Sequence, residues 1–332
     1  MRIKLSYSAL EYVLRQTPHE SGVWGDAHFL TKDDGKPFDA WVVYEQLPYP
    51  ETLRCDPNRV IFIGGEPESI RHYDPKFLAQ FGAVIAPQPL PHARSFVSQP
   101  AIPWWVGVKL TYQPGKCADG YHLDYDQLKA MDSFAKPKLA SIICSNKAVT
   151  EGHRLRLRLV ELLRDRFDGE IDFFGHGFIP IVDKWDAILP YRYHIVLENC
   201  RAPHYWTEKL ADTYLAGAFP IYCGCPNLSD YFPEGSFRAI DRNDPGTAAD
   251  IIAEVLREDR YSEQAPLVKV ARDLVLDRYN LFPMIAGIAG QLPSGPVRRV
   301  RLNREQDFTD PIARRYKRAV RRLIFGTGPR SG

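Results

Sequence analysis

No window of this 332-residue chain comes near the about 18 uninterrupted apolar residues that a membrane-spanning helix requires. The first residues, MRIKLSYSALEYVLRQ, lack both a long apolar core and a small-residue cleavage site, so no secretion signal is expected. Cysteine is sparse and scattered: Cys55, Cys117, Cys144, Cys200, Cys223 and Cys225. The Cys223-x-Cys225 pair is too close for a relaxed disulfide and has no neighbouring Cys/His cluster, which argues against a metal site. Reduced core cysteines in a cytosolic protein are the simpler reading. There is no internal repeat and no low-complexity tract. Net charge is only +2, and its distribution excludes a polyanion-binding body. From Arg298 onward, eleven Lys and Arg face three Asp and Glu, which leaves residues 1–297 with a net charge of −6.

The residues present describe an α/β protein. Apolar, β-branched runs at 40–44, 60–63, 83–86, 139–144, 171–174, 194–197 and 219–223 predict strands. Helical spacing is found at 75–81 and at 154–165, the latter with leucines at 155, 159, 162 and 163. Strand followed by helix, repeated in both halves, implies parallel sheets. Residues 88–103, rich in proline, read as loop. Lys136-Pro137-Lys138 is the expected boundary, giving a first domain over 1–137, a second over 138–295 and a basic tail over 296–332.

The most informative stretch is 191–226. A buried run ends at Glu198-Asn199, a loop follows through Trp206, and Thr207 opens a helix that stops near Gly217 before another buried strand. Thr207 is suited to cap that helix. Lys209 stands at the end of the dipole that disfavours a cation, which suggests an anion there, and phosphate suits such a helix start. Arg154, Arg156 and Arg158 likewise crowd a helix N-terminus. Their spacing means that they cannot all face one ligand, so at least one is expected to point inward and the others to be solvated. Glu66, after the strand at 60–63 and the glycines Gly64 and Gly65, is placed to act as a general base or is simply an exposed turn acid. The glycines would let a substrate approach the backbone. Trp104-Trp105 is a sugar-stacking platform or core. Asp124-Tyr125-Asp126 has the spacing of metal–nucleotide sites but a loop-like setting, and is discounted.

Together these residues resemble glycosyltransferase family 10, the α-1,3/4-fucosyltransferases. The resemblance rests on Tyr191-Arg192-Tyr193, Leu197-Glu198-Asn199, Thr207-Glu208-Lys209 and Pro220-Ile221-Tyr222-Cys223-Gly224, in the family's order and spacing. It extends upstream through Cys144-Ser145-Asn146 and Asp172-Phe173-Phe174-Gly175, and more weakly into Gly65-Glu66-Pro67 and Pro103-Trp104-Trp105. It implies a GT-B fold, two Rossmann-like domains facing across a cleft, with GDP-fucose as donor on the second. It also implies an inverting transfer of fucose to a hydroxyl of an oligosaccharide or polysaccharide. Lys209 and Arg156, aligned through Val160-Glu161-Leu162-Leu163 with Arg154 in reserve, would hold the donor phosphates. Asn199, Tyr205, Thr207 and Glu208 would complete the donor site. Glu66 would be the base, with Glu68 as the alternative, and Trp104 and Trp105 would meet the acceptor. No metal or other cofactor is expected, since cationic side chains stand where one would neutralise the leaving diphosphate. Two departures are Leu197 for the usual phenylalanine and Trp206 for a smaller aliphatic residue, the latter expected to reshape the sugar pocket.

The tail places Ile312, Tyr316, Ala319, Val320, Leu323 and Ile324 on one helical face flanked by basic residues. That composition favours an anionic membrane surface over nucleic acid or a packed helix. The expected location is cytoplasmic, peripheral on the inner membrane face. The competing readings are the same fold using another nucleotide sugar, and a non-catalytic nucleotide-sugar-binding protein.

Overall fold

The structure is a computed structural model that describes residues 1–7, 10–111, 118–144 and 151–308. The amphipathic segment at 312–324, Cys117, Ser145 and Asn146 lie outside the described residues. The first sheet is built from β1 (Arg2–Tyr7), β2 (Val23–Trp24), β3 (Ala27–Leu30) and β4 (Ala40–Tyr44). After β5 (Glu51–Cys55), which stands apart, it continues with β6 (Val60–Ile63), the short helix α1 (Pro75–Leu78), β7 (Ala83–Ala86) and β8 (Ser95–Val97). Strand order is β2-β3-β1-β4-β6-β7-β8, parallel except for the β2–β3 pair. AWVVY and VIFI are apolar at every position because a parallel sheet is covered on both faces, and both strands are wholly buried.

A small antiparallel pair, β9 (Val108–Leu110) and β10 (Ala118–Tyr121), and helix α2 (Tyr125–Ala130) lead to the second unit. That unit runs β11 (Lys138–Ile143), α3 (Glu151–Arg166), β12 (Ile171–Phe174), α4 (Lys184–Ile188) and β13 (Tyr191–Leu197). It continues with α5 (Glu208–Leu215), β14 (Phe219–Cys223), β15 (Arg238–Ala239), α6 (Pro245–Glu258) and α7 (Tyr261–Asp277). Its sheet, β12-β11-β13-β14-β15, is parallel throughout, with Ile142 beside Ile195 and Leu197 beside Cys223. The chain moves outward one way from β11 to β12 and the other way from β13 to β14. The crevice beyond the carboxyl ends of β11 and β13 is therefore the topological switch point, where open α/β sheets bind ligands. In the first sheet the same reversal falls between β1 and β4.

The last described elements depart from the expected domain limits. Helix α8 (Leu281–Gln291) leaves the second unit and packs Leu281, Phe282, Ile285 and Ala289 into the core against β1, β4 and β6. Phe282 meets Phe29 edge to face at 4.8 Å. Then β16 (Arg298–Leu302) pairs antiparallel with β5 on the opposite face of that sheet, where Leu302 is fully buried. The start of the basic tail is thus a strand of the first unit.

Elsewhere the units are tied by buried polar groups. Arg15 donates to the carbonyls of Leu123 and Trp104 at 2.7 Å and stacks 3.9 Å from the Trp104 ring centroid. Asp212 on α5 accepts from the backbone N–H groups of Trp105 and Val106 at 2.7 and 3.0 Å.

Candidate active site

The loop after β13 is closed by a carboxylate from its own strand end. Glu198 is fully buried and accepts from the N–H of Thr207 at 2.8 Å and from its hydroxyl at 2.8 and 3.0 Å. Thr207 in turn caps α5 by accepting from the Lys209 N–H. The start of α5 is therefore occupied by side chains of this chain, and binding of an external anion falls on side chains more than on a bare helix end.

Lys209 explains itself differently from the sequence reading. Its ammonium sits 3.4 Å from Glu198 Oε2, 3.3 Å from Glu208 Oε1 and 3.1 Å from Thr207 Oγ1, with 28% of the side chain exposed. The anions that hold a cation at this helix start are two carboxylates. Burial opposes its charge, but Glu208 and Glu198 outweigh that and raise its pKa. Glu208 is likewise penalised by burial, yet Lys209 and Lys184 hold its carboxyl down at about 2.

Lys184, at the start of α4, escaped the sequence reading. It lies 2.8 Å from Asp212 and 3.6 Å from Glu208, so charges alternate along Asp212, Lys184, Glu208, Lys209 and Glu198. By sharing Glu208, Lys184 leaves more of the Lys209 charge for a further anion. Lys184 belongs to no motif, and only the fold brings it to α5.

Of the three arginines, α3 buries Arg156 and exposes Arg154 and Arg158. Arg156 is 7% exposed and donates to Asn199 Oδ1 at 3.3 Å. Arg242, also unnoticed in the sequence, is buried and donates to the Glu198 carbonyl at 2.5 Å and the Asn199 carbonyl at 3.4 Å. Asn199 is thus fixed from two sides, with two guanidinium groups beside it.

Tyr205 crosses the cleft. It is 1% exposed, and its hydroxyl donates to Glu66 Oε2 at 3.1 Å. Glu66 is half-buried at the end of β6, and burial raises its pKa, opposed by the Tyr205 hydrogen bond. Glu68 faces the other way, with its side chain 74% exposed beside His72. The glycines before Glu66 admit protein groups. A Cβ at Gly65 would stand 2.9 Å from Glu45 Oε1, and one at Gly64 2.9 Å from the Tyr73 ring.

The two tryptophans separate. Trp104 is 3% exposed beneath Arg15 and is core, so its ring is not open to an acceptor, whereas Trp105 is half-buried. Trp206 packs edge to face with Tyr231, Phe232 and Tyr279, with ring centroids 5.9, 5.2 and 5.8 Å away. It belongs to the core, and its bulk is accommodated there and not in a sugar pocket. Asp124 caps α2 and has no metal-site geometry. Among the described residues no three His, Cys, Asp or Glu side chains converge as metal ligands.

Two α/β units with mostly parallel sheets, with α8, the last helix among the described residues, crossing back to the first, form the two-unit arrangement expected of a GT-B fold. Comparison with known families narrows this. Residues 134–263 match the model of "Glycosyltransferase family 10 (fucosyltransferase) C-term". A fucosyltransferase-like protein of Arabidopsis thaliana is 26% identical over 113 residues, covering 33% of this chain and 21% of that protein. Alpha-(1,3)-fucosyltransferase 4 of Rattus norvegicus is 33% identical over 97 residues, covering 27% and 22%. The matched region thus spans about a fifth of these relatives. A crystal structure of an alpha1,3-fucosyltransferase with GDP-fucose superposes over 85% of this chain and 92% of that one, with 15% identity and a TM-score of 0.44.

Proposed function

We propose that this chain is an inverting fucosyltransferase that moves fucose from GDP-fucose to a hydroxyl of an oligosaccharide or polysaccharide. The observation that carries the reading is the Glu66–Tyr205 hydrogen bond. It sets a carboxylate of one sheet against the loop of the other that carries Lys209, at the switch point of a family 10 domain.

The roles follow from position. Lys209 and Arg156 neutralise the diphosphate as it leaves, and Asn199, Tyr205 and Glu208 contact the donor. Glu66 takes the proton of the acceptor hydroxyl as that oxygen attacks the anomeric carbon, and the C–O bond to the diphosphate breaks. Burial suits Glu66 to this, since a less solvated carboxylate with a raised pKa is a stronger base. Fixed cationic groups around the leaving group supply electrostatic stabilisation without a cofactor. Trp105 is retained as an acceptor contact. The basic segment beyond the described residues would hold the enzyme on an anionic membrane face, cytoplasmic in location.

Mass spectrometry of reactions with GDP-fucose and a panel of galactose- and N-acetylglucosamine-containing acceptors tests the reading. A mass increase of one deoxyhexose on an acceptor is expected. Transfer from GDP-mannose or a UDP-sugar instead would replace the donor assignment, and GDP-fucose binding with neither transfer nor hydrolysis would establish a binding protein.

A further inference from the structure

We propose that Glu45 is the positioning residue for the base, holding the Gly64-Gly65-Glu66 loop against the donor side of the cleft. The inference rests on the reading of Glu66 given above. Glu45 directly follows β4, at the switch point of the first sheet, as Glu198 follows β13 at that of the second. Its backbone has φ of 65°, the left-handed region that suits glycine and strains a branched or long side chain. A glutamate held in that conformation is retained for its carboxylate.

That carboxylate is fully engaged. Oε1 accepts from the backbone N–H groups of Gly65 and Glu66, the latter at 3.2 Å, and from the Tyr73 hydroxyl at 2.9 Å. Oε2 accepts from Arg71 at 2.6 Å. Arg71 also donates to Glu305 at 2.9 Å, and Glu305 accepts from the Asp74 N–H at 3.0 Å. Two successive N–H groups pointing at one anion form a concave anion cradle, here filled by a side chain of the same sheet. A Cβ at Gly65 would stand 2.9 Å from that oxygen, so a side chain there would make the Glu45 carboxylate shift. The loop is therefore pinned from beneath, and Glu66 projects from it to Tyr205. The charged and titratable groups around Glu66 are Glu45 and Tyr73 from its own unit, and Tyr205, Cys200, Glu208 and Lys209 from the other.

The test uses the full-length Glu45→Gly variant, since glycine accepts the left-handed backbone and only the carboxylate is lost. GDP affinity measured by calorimetry is expected to stay as in the wild type. The transfer rate at saturating donor is expected to fall about 100-fold, the cost of misplacing a reacting group by about 1 Å. The Glu66 carboxyl, followed by carbon-13 NMR with Glu66→Gln for assignment, is expected to titrate at lower pH than in the wild type, because a neighbouring negative charge is gone. A wild-type transfer rate with an unmoved titration overturns the proposal, and so does loss of GDP affinity in step with transfer. If the glycine variant does not fold, Glu45→Gln is read against the same two outcomes. Retention of transfer by Glu66→Gln would remove the base assignment alone, because the titration decides on Glu45 whether or not Glu66 reacts.

Discussion

The two sheets meet at matching ends but present different things there. At the switch point of the second sheet stand Glu198, Lys209, Glu208, Lys184 and Asp212 in an alternating run, with Arg156 and Arg242 beside it. At that of the first, the Glu45–Arg71–Glu305 clip serves mainly to shape a backbone loop that ends in Glu66. The difference suits the two tasks of the proposed transfer. A diphosphate is recognised by concentrated charge, which long side chains on a helix and adjoining loops supply. A hydroxyl is recognised by placement, which depends on where the backbone sits.

If the division holds, substitutions on the two sides should fail in different ways. The largest effect is expected at Glu66, where Glu66→Gln should lower kcat about 100- to 10,000-fold with GDP affinity retained. In the wild type the rate should fall on acidification through the raised pKa of Glu66, because only the ionised form accepts the proton. Lys209→Ala should lower kcat on the order of 100-fold or more and also weaken GDP binding. Near-normal transfer by this variant would contradict the donor site described here. Phe282→Ala asks whether the first unit depends on α8, and should cost about 3 kcal/mol in denaturant unfolding, the value of a buried aromatic ring. Lys184→Met should weaken GDP binding about tenfold, roughly one ion-pair's worth, by drawing Lys209 further toward Glu208. An unchanged affinity would confine Lys184 to a structural part.

An effect on stability alone, with no bearing on transfer near neutral pH, concerns His194, 3% exposed on β13 and 2.8 Å from Ser141 Oγ. Burial, with the charges of Lys184 and Lys136, lowers its pKa to about 3. The folded state keeps it neutral while the unfolded chain takes up a proton below about 6.5. Stability is therefore fully present above that pH and declines as pH falls toward 3, by at most about 1.4 kcal/mol per pH unit. His194→Asn should flatten the slope of melting temperature against pH across that window.

The same contrast decides what could be read from the sequence. The strands at 40–44, 60–63, 83–86 and 219–223 were legible because fully buried parallel strands are short apolar runs bounded by polar residues. The stretch around Thr207 and Lys209 was legible because its residues lie within one strand–loop–helix unit, so spacing stands for geometry. Lys184 and Arg242 reach the same place from other elements, and no local pattern announces them. Glu45 was invisible for a further reason: its partners Gly65 and Arg71 lie 20 and 26 positions away, and Glu305, which shares Arg71, lies 260 positions away. Trp104 and Trp206 misled because an aromatic ring beside a functional loop reads alike whether it faces the cleft or the core.

The return of α8 and β16 to the first sheet governs the order in which the molecule can be made. During synthesis the first unit emerges early but lacks one helical cover and the partner of β5 until residue 302 has left the ribosome. The second unit, complete by α7, can close its sheet sooner. The half that emerges first is thus finished last, and Glu305, which holds Arg71 beneath the Glu66 loop, arrives only after every strand of both sheets has been made.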